Sequence, residues 1–109
     1  MAFDEKHAEI FRGALSDLDG ITEKRMFGGL CFLLHGNMLC GVHNEGGMAR
    51  VGKDNEAAAL EIDGVDPLSF TGRPMGGIVE LTQAAVEDET TRDAVLVLAR
   101  EFVGSLPAK

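Results

Sequence analysis

Cys31, His35, Cys40 and His43 crowd one short stretch. Their side-chain types are the usual ligands of zinc. A metal site needs them on one side of the backbone. The stretch reads as two strands joined at Gly36-Asn37, and side chains alternate along a strand. With Gly36-Asn37 as a two-residue turn, Leu34 pairs with Leu39 and Cys31 with Val42. Cys31, His35 and Cys40 then share a face, and His43 points the other way. No C-x-x-C knuckle is present. The spacing predicts buried thiols acting as small hydrophobes, with no metal ligands. The thiols are also poor nucleophiles, because a thiolate needs nearby positive charge or a helix N-terminus.

Gly47-Met48-Ala49-Arg50-Val51-Gly52-Lys53 has the G-x-x-x-x-G-K spacing of a phosphate-binding loop. The next residue should be Ser or Thr, to hold magnesium, and it is Asp54. The residues between the glycines look like a strand, so a hairpin strand followed by a capped helix is the better reading. Ser16, Ser69 and Ser105 are the serines, and none stands in G-x-S-x-G. No carboxylate pair is marked out for acid–base work. Catalytic, cofactor-binding and metal-binding residues are all read as none, and the chain is not expected to be an enzyme.

The arginines carry more. Arg25 precedes Met26-Phe27-Gly28-Gly29, and Arg73 precedes Pro74-Met75-Gly76-Gly77. Glycine lets backbone approach backbone or ligand closely. These contexts fit bulges at strand entries with salt-bridged arginines, or a recognition edge. Arg25, Arg50 and Arg73 are the candidate interaction residues. Pro74 leaves no N–H to join a ladder, so Arg73 is expected at an accessible edge or loop.

The elements that position these groups follow from periodicity. Residues 4–18 read as an amphipathic helix, with His7, Ile10, Phe11, Ala14, Leu15 and Leu18 on one stripe. Both faces of the hairpin are apolar, so each needs a cover. A turn at 44–47 leads to a strand at 48–51. A short helix runs from Asn55 to Ile62, with Asp54 as N-cap. Residues 65–75 read as irregular and 78–81 as a last strand. A helix over 88–105 closes the chain, with Thr91, Val95, Leu98, Phe102 and Leu106 as its stripe. Leu96, Val97 and Val103 widen that stripe, so the helix is either deeply buried or shared with a partner.

The 109 residues fit one domain spanning 1–109, of α+β class. The sheet is an antiparallel meander flanked by N-terminal and C-terminal helices. Eighteen acids against ten bases give a net charge of −8, which repels a phosphate backbone. Nucleic acid is therefore not expected as a direct partner. Two cysteines make no secreted disulfide framework. Charges occupy the place of a signal peptide's apolar run, and no stretch approaches the ~20 apolar residues of a membrane span. A cytoplasmic protein without a membrane partner is expected.

Arg25–Leu30, Gly36-Asn37-Met38, Met48–Gly52 and Phe70–Gly77 together resemble the TfoX N-terminal domain family of competence regulators. The blocks span about half of the chain. The resemblance implies an α+β fold similar to the secretion chaperones, and homodimers. It supplies no catalytic residues. Full-length regulators of that family carry a second domain, which is not seen in this sequence. The leading expectation is a protein-interaction or regulatory module, linked by resemblance to transcription or competence. The alternatives are a direct nucleic-acid-binding regulator and a small-molecule-binding or enzymatic domain.

Overall fold

Asp4 starts the first helix, α1 (Glu5–Ala14): its carboxylate accepts the Lys6 N–H at 2.9 Å. The computed structural model describes residues 4–26, 29–43, 46–69 and 74–108. His7, Ala8 and Phe11 form the buried face of α1, and Leu15 is buried just past its end. The helix is shorter than the expected 4–18. Gly13 and Ser16 favour turns over helix, and Ser16 donates both its N–H and its hydroxyl to the Gly13 carbonyl.

Six strands follow: β1 (Ile21–Met26), β2 (Gly29–Leu34), β3 (Asn37–His43), β4 (Gly46–Arg50), β5 (Val65–Ser69) and β6 (Pro74–Thr82). They form one sheet in the order β1-β2-β3-β4-β6-β5, every pair antiparallel. Between β4 and β5 lies α2 (Lys53–Leu60). After β6 come α3 (Gln83–Glu87) and α4 (Glu89–Gly104). The α+β class with helices at both ends is as expected. No helix among the described residues is long and apolar enough to cross a membrane.

The β2–β3 hairpin differs from its expected register. Leu34 pairs with Asn37, so the two-residue turn is His35-Gly36, one residue earlier. Both turn residues have positive φ, 52° and 85°, as a primed hairpin turn requires. A register shift past Phe32 and Leu33 then pairs Phe32 with Cys40 and Cys31 with Gly41. Cys31 and Cys40 therefore lie on opposite faces, and the shared face expected for them is not formed. His43 falls on the side of Cys31, and its Nε2 lies 3.4 Å from Glu80. Among the described residues no three metal-ligand side chains cluster.

Residues 65–69 form a strand where irregular chain was expected, and β6 begins at Pro74 instead of Ile78. Pro67 is tolerated because β5 is the edge strand. Residues 70–73 lie outside the described residues, and Arg73 with them. So do Asn44 and Glu45, half of the expected turn; Gly46 and Gly47 already belong to β4.

One sheet face and the helices make the main core. Leu30, Phe32, Val42, Ala49, Val79 and Leu81 meet Phe11, Leu15, Val86, Val95, Leu96 and Val103 there. The Phe11 ring stands edge-on to Phe32, centroids 6.1 Å apart. Cys31 and Met48 form a small second cluster on the opposite face, with Met38 and Ile78 packed against it. In α4 the buried side is Val95, Leu96, Ala99 and Val103. The stripe is turned from the expected one. Leu98 and Phe102 are half-buried, and Val97 is 57% exposed. The unforeseen α3 is capped by Thr82, whose hydroxyl accepts the Ala85 N–H at 3.2 Å. It buries Ala85 and Val86 and meets α1 where His7 Nε2 lies 2.8 Å from Glu87.

Candidate functional site: a cleft at the end of the sheet

The chain crosses itself closely where β4 hands over to α2. The N–H groups of Val51 and Gly52 both donate to the Gly77 carbonyl, at 2.8 and 3.0 Å. Gly77 has φ 83°, and its own N–H donates to the Glu56 carboxylate at 3.0 Å. A Cβ on Gly77 would stand 3.3 Å from Gly52 and from the Lys53 nitrogen. This packing explains the start of α2. Its N-cap is Gly52, with φ 85° and ψ 156°, and not the expected Asp54. The Gly52 carbonyl accepts the Asn55 N–H at 3.2 Å.

A cleft of ≈ 840 Å³ opens above this crossing. Arg50, Val51 and Gly52 form one wall, and Lys53, Asp54 and Asn55 of α2 the next. Gly77 and Ile78 of β6, Met38 of β3, and Glu101, Phe102 and Ser105 of α4 complete it. The Arg50 guanidinium carbon lies 5.5 Å from the Phe102 ring centroid, a cation–π contact. Ser105 donates its hydroxyl to the Phe102 carbonyl at 2.6 Å. A second cleft, ≈ 640 Å³, runs between α1 and α4. Its arginines are engaged: Arg92 donates to the Val86 carbonyl and Arg100 to Asp17.

Most described arginines are bound within the chain. Arg12 meets Glu9 and Glu23, and its hydrogen bonds to Glu23 hold that carboxyl below its usual range. Asp17 is likewise lowered by Arg100. Arg25, exposed on β1, also has an interaction within the chain. Arg50 and Lys53 have no carboxylate partner among the described residues.

Of the expected interaction residues, Arg25 and Arg50 lie on opposite sheet faces, and Arg73 is outside the described residues. By register Arg25 aligns with Leu30, Val42 and Gly47, on the helix-covered face. Arg50 aligns with Ile78, on the face of Met48. The phosphate-loop spacing is not a cradle, because Met48, Ala49 and Arg50 are ladder residues pairing with β6. Sequence reasoning missed Met38, Lys53, Ile78 and Phe102 as neighbours of Arg50. One signal was available: three of the four blocks that carried the resemblance each contribute to the cleft, through Met38, Arg50 with Gly52, and Gly77. The thiols stand apart from it. Burial pushes Cys31 up to about 11, and Cys40 is raised further by burial and by Cys31.

A six-stranded antiparallel sheet with its helices packed on it, and a ligand-sized cleft at its end, defines an α+β domain with one prominent candidate binding site. The TfoX N-terminal domain family matches residues 13–103, and the chain belongs to that family. Comparison with curated proteins and with solved structures gives no match.

Proposed function

We propose that this chain is a regulatory module that acts by binding, not by catalysis, and that the cleft around Arg50 receives its ligand. One observation carries the reading. In a chain of net charge −8, two cations line a largely apolar cleft without a carboxylate partner among the described residues. Arginine left unpaired amid an acidic excess suits an acceptor from outside the chain. The cleft volume falls within the usual ~300–1,000 Å³ of small-molecule sites. Its hydroxyl, Ser105, is engaged with helix backbone, and no histidine lines the cleft among the described residues. The buried, protonated thiols are also poorly suited to attack.

A protein partner and a cytoplasmic location belong to the same proposal, as does a link to transcription or competence control. So does a homodimer through the second sheet face, where Leu33, Met38 and Ile78 are half-buried. The α4 stripe that also suggested a dimer is largely satisfied within the chain. The net charge continues to argue against general DNA affinity.

The test is a thermal-shift screen of small anionic, neutral and cationic compounds, with hits mapped by amide NMR. Hits that move the Gly52, Lys53 and Gly77 amides and are lost in Arg50→Ala support the reading. Hits mapping to another surface, or turnover of a bound compound, refute it.

A further inference from the structure

We infer that the cleft takes a small monocarboxylate with an apolar body, its carboxylate on Arg50 and its body against Phe102, Met38 and Ile78. This rests on the reading of the cleft as a binding site and goes on to name the ligand class. Four observations lead there.

The first is the posture of Arg50. The guanidinium lies over the Phe102 ring, 5.5 Å from its centroid. A guanidinium held at an aromatic ring keeps N–H donors for an acceptor, and Arg50 has no carboxylate on them among the described residues. A carboxylate fits those donors through two parallel hydrogen bonds.

The second is the state of the local backbone. A phosphate held at a strand–helix junction is gripped by free N–H groups. Here those of Val51 and Gly52 donate to Gly77, that of Asn55 to Gly52, and that of Gly77 to Glu56, which leaves those of Lys53 and Asp54 without an acceptor among the described residues. Asp54 and Glu56 in the first turn of α2 already face its dipole. Those two carboxylates repel an anion from the helix end, which favours the Arg50 side chain as its seat.

The third is charge. Arg50 and Lys53 line the cleft with Asp54 and Glu101, two cations against two acids. One negative charge beside Arg50 is accommodated. A phosphate monoester, at about −1.5 to −2, adds repulsion from both acids. The fourth is the apolar wall. Phe102, Met38 and Ile78 offer aromatic, thioether and branched surfaces, which suit a hydrocarbon body.

Matched probes test this on the full chain. Octanoate, 1-octanol, octyl phosphate and octylamine share one body and differ in the head group. Each is titrated below its aggregation limit and followed by amide NMR. Octanoate is expected to move Gly52, Lys53 and Gly77 and to bind at least about tenfold tighter than octanol. Arg50→Ala should abolish that advantage while retaining weak octanol binding. Arg50→Lys, which keeps the charge without the planar fork, should restore it only in part. A dispersed amide spectrum establishes that each variant is folded. If Arg50→Ala does not fold, Arg50→Lys and Lys53→Ala carry the comparison.

Equal binding of octanol and octanoate would overturn the head-group assignment and leave the cleft as a binding site. Tighter binding of octyl phosphate or octylamine would do the same. If none of the probes moves the cleft amides, the inference is lost. The cleft reading then stands or falls on the broader screen.

Discussion

Gly52→Ala probes the backbone crossing beneath the cleft. The position has φ 85° and ψ 156°, a region that only glycine occupies readily. Holding an L-residue there costs about 1–3 kcal/mol. The added Cβ would lie 2.5 Å from Cδ1, 2.7 Å from Cγ and 2.9 Å from Cε1 of Phe102. Turning the ring about its own axis leaves Cγ in place, so the whole side chain must swing at χ1. Phe102 is half-buried, which puts the overpacking cost near the lower end of the usual range, about 1 kcal/mol. Together the variant should lose about 2–4 kcal/mol, a large part of a typical domain's ~5–15 kcal/mol. Urea unfolding followed by far-ultraviolet circular dichroism measures it. In a Phe102→Ala background the contact is gone and the backbone cost remains, so the effect of Gly52→Ala should fall to about 1–3 kcal/mol. A single variant within about 0.5 kcal/mol of wild type would refute the backbone assignment. An equal loss with and without the ring would refute the steric contribution.

Three further outcomes are expected. Phe11→Ala should cost about 3–5 kcal/mol in chemical denaturation, because the ring is fully buried and packs edge-on to Phe32; a loss below about 1 kcal/mol would mean that α1 is not docked as described. Glu87→Ala should cost about 1–3 kcal/mol by the same measurement, since it removes the acceptor 2.8 Å from the buried His7 ring. The thiols should resist an aromatic disulfide reagent at pH 8 in the native protein and react on unfolding. Their folded pKa values are raised, Cys31 to about 11, so their contribution to stability is fully present below the unfolded value of about 8.5 and falls as pH rises toward 11. A fall in the urea midpoint over that window that is unchanged in a Cys31→Ala, Cys40→Ala double variant would show that other groups cause it.

Much of the fold was legible because it rests on local patterns. The α1 stripe, the Gly-rich turns between apolar runs and the closing helix are periodicities of 3.6 and 2 that one window of chain contains. The errors fell where distant contacts decide. The hairpin turn moved to His35-Gly36, where Gly20 accepts the His35 N–H at 3.0 Å. Asn37, expected in the turn, is instead buried in β3 and donates its side-chain N–H to the Pro107 carbonyl at 2.9 Å. Residues 65–69 read as irregular from local pattern, and the edge position that admits Pro67 exists only once the sheet order is set. The α4 stripe was misaligned because Ala99, a weak hydrophobic signal, is fully buried against its neighbours.

The sequence by itself determined the class: an acidic α+β chain, without a metal or nucleophile motif, in the TfoX N-terminal domain family. Composition, periodicity and short blocks suffice for that, because each is a property of neighbouring residues. Only the tertiary structure decided the candidate site. Arg50 and Phe102 are far apart along the chain, and Gly52 and Gly77 meet only because β4 and β6 pair. No window of sequence contains both partners of either contact. Chain crossings and the cleft above them arise when sheet order is fixed, and sheet order minimises the free energy of the whole core, not of any one segment.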